Sequence, residues 1–208
     1  MIPIESIATF IIASALLSIA PGPDNIFVLT QSALYGKKSG VYVTLGLCTG
    51  LIVHTTAVAL GVAAIFQTSI IVFTVFKVVG AIYLAYLALR AFLASAKNLN
   101  ASESDLRSNG ALYLRGIIMN ITNPKVSLFF FAFLPQFASL KQGHLSPQIF
   151  FLGSVFICVA LVIFSAIALS AGALGGWLHK SSKAQIYLNR IAGTVFAGLA
   201  LKLVTVRQ

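Results

Sequence analysis

Charged residues are scarce in this chain, and acidic residues are the scarcest. Only 9% of the 208 residues are charged, with 4 Asp and Glu against 14 Lys and Arg, whereas 59% are hydrophobic. A soluble domain carries about 25% charged residues. The chain therefore lacks the polar side chains that a water-covered surface needs, and its composition predicts an integral membrane protein.

Several functional classes are excluded by what else is missing. The sequence contains no Walker loop, no GxSxG elbow and no HExxH motif, so we expect neither an enzyme nor a cofactor. Its two cysteines, Cys48 and Cys158, lie inside apolar runs and suggest neither a disulfide scaffold nor a metal site. The net charge of +10 does not indicate nucleic-acid binding, because the basic residues cluster at the ends of apolar runs.

Long apolar runs make up most of the chain. A membrane-spanning helix needs roughly 20 mostly apolar residues, and these runs do not alternate as the strands of a membrane barrel do. The sequence therefore predicts an all-α protein with six transmembrane helices, of which the sixth is the shortest and least apolar. We place them at Ile7–Leu29, Val41–Phe66, Ile70–Leu89, Gly116–Phe137, Ile149–Leu178 and Ile191–Leu201, the last flanked by Arg190 and Lys202.

A polar linker divides the six predicted helices into two halves. Residues 94–111 are rich in Ser and Asn, so we expect a single membrane domain made of two three-helix repeats, residues 1–93 and 112–208. Because each half contains an odd number of spans, the second repeat is inverted relative to the first.

Basic residues gather on one side of this predicted topology. The positive-inside rule places that side in the cytoplasm, and both termini then lie in the periplasm. The cytoplasmic group is Lys37, Lys38, Arg90, Lys97, Arg107, Arg115, Lys180, Lys183 and Arg190, against Lys141, Lys202 and Arg207 on the other side.

The first span is interrupted by the sequence APGPDN, residues 20–25. A proline inside a helix costs about 3 kcal/mol or more, and a mid-membrane carboxylate adds about 2.5–3.5 kcal/mol. Such a break is tolerated where it lines a polar cavity. We therefore predict that Pro21, Gly22 and Pro23 open the helix and that Asp24 and Asn25 belong to a substrate or coupling-ion site. For Asp24 the alternatives are a counter-charge for an ammonium group, a proton carrier and a helix N-cap.

The fourth span carries a second interruption, NITNPKV, residues 120–126. Pro124 breaks the helix, and Asn120 and Asn123 flank the break. Lys125 is a candidate to bind a substrate carboxylate or to pair with Asp24, against the alternative that it snorkels to the interface. Interrupted helices at corresponding positions of inverted repeats are the best sequence-level pointer to the binding site of a transporter.

Two further polar residues in apolar runs are candidates for the same site. Lys77 lies in the third span, where lining the site and snorkelling to the interface are equally compatible with its position. His54 shares a helix face with Gly46 and Gly50, which form a close-packing GxxxG pair. For His54 a hydrogen bond into the bundle is favoured over a metal, because no partner ligands stand at metal spacing. We predict no metal site.

Three segments resemble the LysE/RhtB family of bacterial amino-acid exporters: SIAPGPDNIFVL, YGKKSGVYVTLGLCTGLIVH and NITNPKVSLFFFAFLPQF. The resemblance covers nearly the whole chain, and the threonine/homoserine-type branch looks nearest. Members of the family vary at the position of Asp24. The family motifs fall here on Pro21, Gly22 and Pro23, on Gly36, Lys37, Lys38 and Gly40, and on Asn123, Pro124 and Lys125.

The resemblance implies a multi-pass protein of the bacterial inner membrane that exports amino acids or close derivatives. It also implies that the proton motive force drives export, with protons as the coupling ion of a secondary transporter. We expect alternating access of the two halves in the lipid bilayer. A membrane thiol relay through Cys48 and Cys158 and a small ion channel stay open as alternatives. The sequence does not decide which amino acid is carried or whether the protein is a homo-oligomer.

Overall fold

Helices account for the regular structure of the computed structural model, which describes residues 2–62, 70–94, 108–180 and 182–205. These residues contain eight α-helices and no β-strand, which confirms the all-α prediction for them. Helix α3 continues into a π-helical turn, Val58–Val62, and α6 continues through a π-helical turn, Phe129–Phe133, into a 3₁₀ turn, Leu134–Phe137. The helices are α1 Ile4–Ile19, α2 Pro23–Tyr35, α3 Lys37–Ala57, α4 Ile70–Leu93, α5 Asn109–Ile121, α6 Pro124–Leu128, α7 Leu145–Lys180 and α8 Ser182–Thr205.

The apolar helices make this a multi-pass membrane protein. Two segments, Lys37–Gly61 and Leu145–Ala171, are each long and apolar enough to cross a bilayer. Helices α1 and α2 bend by 57° at their break, and α5 bends by 49° against the segment Pro124–Phe137, which contains α6 and the two turns after it. Counting each bent pair as one span gives four spans among the described residues. Helix α4 contributes a shorter apolar segment, Val78–Leu93. The six-span architecture therefore stays a prediction.

Proline sets both breaks, but in a different way from the one we expected. Pro23 and Pro124 are the first residues of α2 and α6. At that position a helical N–H has no partner within the helix, so proline removes no hydrogen bond and its ring meets no preceding turn. The expected cost of a proline inside a helix does not apply to these two residues.

Several helix ends differ from the predicted spans. Helix α3 begins at Lys37 rather than Val41, because Gly36, with φ of 88°, ends α2 and starts α3 in one sharp corner. Helix α5 begins at Asn109, where the Ser108 hydroxyl accepts a hydrogen bond from the Ala111 N–H at 3.3 Å and caps the helix. Most of the predicted linker, residues 95–107, lies outside the described residues. Helix α8 extends well beyond the predicted sixth span at both ends.

Helices α3 and α5 cross with their backbones in contact. A Cβ atom on Gly46 would collide with the carbonyl oxygen of Tyr113, and one on Gly116 would lie 2.6 Å from the carbonyl oxygen of Val43. The glycine face of α3 therefore packs against α5, as small residues do between membrane helices. This contact places the second break, at the end of α5, directly against α3.

A cluster of phenylalanines fills the core beside the two breaks. Phe129, Phe130 and Phe133 lie on the π-helical turn that follows α6, and all are at most 1% exposed. Phe129 packs against Phe10 of α1 and Phe156 of α7, with ring centroids 6.1 and 5.3 Å apart. Large apolar side chains on the outside, such as those of Ile82 and Val162, stay exposed, as expected for a surface that faces lipid.

The first testable prediction concerns orientation. In a background with Cys48→Ser and Cys158→Ser, Lys38→Cys should react with a membrane-impermeant maleimide only from the cytoplasm, and His144→Cys only from the periplasm. Both positions are exposed, and α3 leads away from one while α7 begins beside the other. Labelling of both cysteines from the same side would contradict the predicted topology.

The second prediction concerns the α3–α5 crossing. We expect Gly46→Ala to lower the free energy of unfolding in detergent by about 1–3 kcal/mol, since the added methyl group forces two backbones apart. Gly198→Ala on α8 is the matched control, because nothing lies within 4 Å of the new methyl group. Equal stability of the two variants would mean that the crossing tolerates a wider helix separation.

Candidate functional site

The two breaks meet at one small cavity. Its polar lining consists of Ser18, Asp24, Asn120 and Lys125. The space inside accommodates about one water-sized sphere. Helices α1, α2, α3, α5, α6 and α7 all contribute to it, and its apolar lining is Leu17, Leu51, Val126, Phe156 and Phe164.

Asp24 is the carboxylate of the cavity and is only 1% exposed. It is the second residue of α2, where the helix dipole stabilises a negative charge. Its Oδ2 atom accepts a hydrogen bond from Asn120 Nδ2 at 3.1 Å, whereas its buried Oδ1 atom has no partner. The N-cap alternative is wrong, because Gly22 occupies the N-cap position and α2 has no side-chain cap.

Lys125 is the cation of the cavity and is 6% exposed, so it does not snorkel to the interface. Its Nζ atom donates to the carbonyl oxygens of Leu17 at 3.1 Å and Ala20 at 3.0 Å. These oxygens lie where α1 ends and where helical carbonyls lose their partners within the helix. A Cβ atom on Gly22 would lie 3.0 Å from the ammonium nitrogen, so glycine at this position leaves room for it.

At both breaks a side chain from a distant helix binds a backbone carbonyl, and at the first break that carbonyl has lost its helical donor. Pro21 has no N–H for the carbonyl four residues earlier, that of Leu17, and Lys125 donates to it instead. At the second break the carbonyl of Asn120 accepts a hydrogen bond from the Asn123 N–H at 3.0 Å, and His54 Nε2 lies 3.2 Å from the same oxygen. Because a carbonyl only accepts, His54 must carry its proton on Nε2.

The charged residues after the two prolines make crossed contacts. Lys125, which follows Pro124, reaches the end of α1 in the first half, and Asp24, which follows Pro23, reaches Asn120 near the end of α5 in the second half. An ammonium can donate to backbone carbonyls directly, whereas a carboxylate needs a donor, which the Asn120 amide provides. Among the described residues, Asp24 and Lys125 share the cavity without forming an ion pair within 4.0 Å.

Helix α3 fixes the position of Asn120. His54 binds the Asn120 carbonyl oxygen, and one turn earlier Gly50 makes room for the side chain, since a Cβ atom there would lie 2.7 Å from Asn120 Oδ1. The hydrogen bond into the bundle that we predicted for His54 is present. His54 does not line the cavity but supports a residue that does.

Asn25 and Asn123 hold the backbone at the two breaks. Asn25 Nδ2 donates to the carbonyl oxygen of Ser18 at 2.6 Å and so ties α2 back to α1. Asn123 Oδ1 accepts from the Lys125 N–H at 3.0 Å and caps α6. Neither residue lines the cavity. Lys77 lies in α4, but its side chain is outside the described ones.

Sequence reasoning missed several cavity residues. Ser18, Phe156 and Phe164 gave no signal as single residues. The carbonyl of Leu17 could have been identified from the sequence, because it lies four residues before Pro21 and so loses its helical donor.

Five buried polar atoms around the breaks have no hydrogen-bond partner. They are Ser18 Oγ, Asp24 Oδ1, Asn25 Oδ1, Asn120 Oδ1 and Asn123 Nδ2. Buried polar atoms of native proteins are nearly always paired. A concentration of unpaired ones beside a cavity is typical of a ligand site, where a few polar groups fix the orientation of a small molecule.

Comparison with known proteins places the chain among translocators. The family described as LysE type translocator matches residues 15–207. The homoserine/homoserine lactone efflux protein of Salmonella typhimurium is 32% identical over 199 residues, which cover 96% of each chain. The uncharacterized membrane protein YrhP of Bacillus subtilis is 31% identical over 207 residues, or 95% of this chain and 98% of the relative. No solved structure matches the chain.

The third prediction concerns the two cavity charges. Asp24→Asn and Lys125→Met should each lower the free energy of unfolding, because each leaves the other charge uncompensated in the cavity. The double variant should lose less than the sum, with a coupling energy of about 0.5–3 kcal/mol. The measurement is a double-mutant cycle in detergent. Exposed Glu5 provides the control, since Glu5→Gln with Lys125→Met should be additive. Additive losses for Asp24 and Lys125 would show that the two charges do not interact.

Proposed function

The chain belongs to the LysE type translocator family, and on that premise we propose that it exports small amino acids or close derivatives across the bacterial inner membrane. Homoserine and threonine are the first candidates, because relatives that align over 96% of this chain are homoserine/homoserine lactone efflux proteins. The family consists of translocators, so the protein is a transporter rather than an enzyme.

The observation that carries the proposal is the cavity at which both helix breaks meet. It combines a buried carboxylate, a buried ammonium group, an unpaired amide oxygen and an unpaired hydroxyl in a lining that is otherwise apolar. Ionisable groups inside membrane helices are costly and mark substrate or ion pathways. A hydrophobic membrane anchor requires no buried ionisable groups, whereas a carrier of charged amino acids requires groups that bind its substrate.

We further propose that the chain forms six spans in two inverted repeats, residues 1–93 and 112–208, which rock against each other in alternating access. Four of the helix contacts fit this proposal. Helix α1 packs on α7 as α5 packs on α3, and the contacts of α3 with α7 and of α4 with α8 each join corresponding helices of the two halves. With the basic loops in the cytoplasm, both termini lie in the periplasm.

Protons are the proposed coupling ion, and Asp24 is the proposed coupling residue. A carboxylate binds either a proton or a substrate ammonium group, so the two compete at one oxygen pair. A proton that enters from the periplasm would displace the ammonium group, and the next substrate would displace the proton on the cytoplasmic side. Export of one then requires import of the other, which is proton antiport by a secondary transporter.

The two alternatives, a thiol relay and an ion channel, predict different results from an exporter in a transport measurement. A thiol relay would need Cys48 and Cys158, which are free thiols on α3 and α7 and do not line the cavity. Transport that survives Cys48→Ser with Cys158→Ser would exclude the relay as its source. An ion channel would show neither saturation nor stereoselectivity.

The fourth prediction tests export and coupling together. In proteoliposomes with an imposed pH gradient, the wild type should accumulate at least one small L-amino acid or its lactone against its concentration gradient. Asp24→Asn should abolish this uphill transport and retain downhill exchange, whereas Glu5→Gln, which removes an exposed carboxylate of α1, should behave as the wild type. The readout is radiolabelled flux with and without the gradient.

Two outcomes would contradict the proposal at different points. If the wild type moves no amino acid or derivative under any gradient, export itself is wrong. If Asp24→Asn keeps full gradient-driven activity, export stands but Asp24 is not the coupling residue.

A further inference from the structure

The unpaired polar atoms around the cavity are mostly acceptors. Asp24 Oδ1, Asn25 Oδ1 and Asn120 Oδ1 accept hydrogen bonds only, and Ser18 Oγ can accept as well as donate. Asn25 is 8% exposed, and the other three residues are at most 3% exposed. This end of the site therefore calls for a group that is rich in donors and carries a positive charge.

The contacts already present determine which end of each amide is free. Asn120 faces a carboxylate oxygen, and Asn25 faces the Ser18 carbonyl oxygen. Both partners only accept, so each amide must turn its nitrogen toward its partner and its oxygen away from it. Reversing either side chain would place two acceptors against each other. The excess of acceptors thus follows from the fold.

The cation of the cavity, in contrast, already has partners. Lys125 Nζ has three hydrogens, and it donates to the carbonyl oxygens of Leu17 and Ala20. These bonds cap the end of α1 at the first break. Two of the three hydrogens are thus engaged at the first break, which leaves one for any other ligand.

We propose that the site recognises its substrate by a primary ammonium group, held by Asp24 and the oxygens of Asn120 and Ser18, and that it does not require a substrate carboxylate. This inference rests on the proposed function, because it assigns the chemistry of the same site. It revises the expectation that Lys125 binds the carboxylate and gives Lys125 the structural role of capping α1. The ligand class is primary amines with a small side chain, including amino acids whose carboxyl group is blocked as a lactone, ester or amide.

The size of the cavity agrees with this assignment. Its space fits about one water-sized sphere, which suits an ammonium head group but not a whole amino acid. The remainder of the substrate must then occupy space made by movement of the apolar lining, to which α7 contributes Phe156 and Phe164.

The fifth prediction compares three probes on the wild-type protein at about pH 6, which lies below the ordinary pKa of an α-amino group, so that a free amine is protonated. L-homoserine has both charged groups, L-homoserine lactone has only the ammonium group, and N-acetyl-L-homoserine has only the carboxylate. Ligand binding to the folded protein raises its melting temperature. We expect homoserine and its lactone to reach half-maximal stabilisation within about tenfold of each other, and the N-acetyl compound to need about 10- to 100-fold more.

The comparison is repeated with L-threonine, its methyl ester and N-acetyl-L-threonine, in sodium-free choline buffer. If the N-acetyl compounds bind as well as the free amino acids while lactone and ester do not, the carboxylate is the recognised group and the inference is wrong. A strict requirement for sodium would also overturn it, since the acceptor oxygens would then hold a sodium ion. If no compound binds or is transported, the proposed function fails together with the inference.

Variants separate the two charges. Asp24→Asn should weaken binding of homoserine and of its lactone alike, by about 10- to 100-fold. Lys125→Met should leave the ratio of the two affinities within about threefold of the wild-type ratio, because neither ligand uses the lysine. Loss of homoserine binding alone in Lys125→Met would assign the carboxylate to Lys125. If that variant does not fold, Lys125→Arg and the wild-type comparison still decide the question.

Discussion

The hydrogen bond from Lys125 Nζ to the carbonyl oxygen of Leu17 joins the two helix breaks on which the site is built. In the hydrocarbon of a bilayer no water is available for a backbone group that loses its partner, so a break in a helix is tolerated only where protein or a water-filled cavity satisfies it. Pro21 cannot donate to Leu17, and the repair comes from the charged residue that follows the second break. The geometry of the site follows from this need.

The second break is arranged differently. The carbonyl of Asn120 accepts from the Asn123 N–H and lies 3.2 Å from His54 Nε2 of the neighbouring helix, and the Asn120 side chain binds Asp24. The site therefore holds a cation that is occupied by backbone oxygens and an anion that is only half occupied. This asymmetry is the basis for assigning the ammonium group of a substrate to the Asp24 side.

The sequence predicted features that depend on residue types that are costly in lipid. It did not predict contacts between residues that are distant in the chain. Prolines beside Asp24 and Lys125 located both breaks, and the glycine face of α3 located a close helix crossing. The partners of Lys125, by contrast, lie more than 100 residues away, and no local pattern encodes a contact of that range. The π-helical turn Phe129–Phe133 was missed as well, because a run of phenylalanines reads as ordinary apolar helix.

The helix ends also could not be predicted from hydropathy alone. The start of α3 depends on the positive φ of Gly36, and the start of α5 depends on the Ser108 cap rather than on apolar character. The predicted candidates nevertheless cluster well: Asp24, Asn120 and Lys125 line one cavity, and His54, Asn25 and Asn123 hold the backbone or the side chains around it.

The crossed contacts also affect how the protein is made. The ribosome synthesises α1 before α6. The carbonyls of Leu17 and Ala20 therefore have no Lys125 ammonium group to bind until more than 100 further residues have been added. The partner of Asp24, the Asn120 amide, is likewise synthesised later. Until α5 and α6 are synthesised, α1 and α2 lack these partners. The conformation of the first break is therefore completed only after the second half of the chain is made.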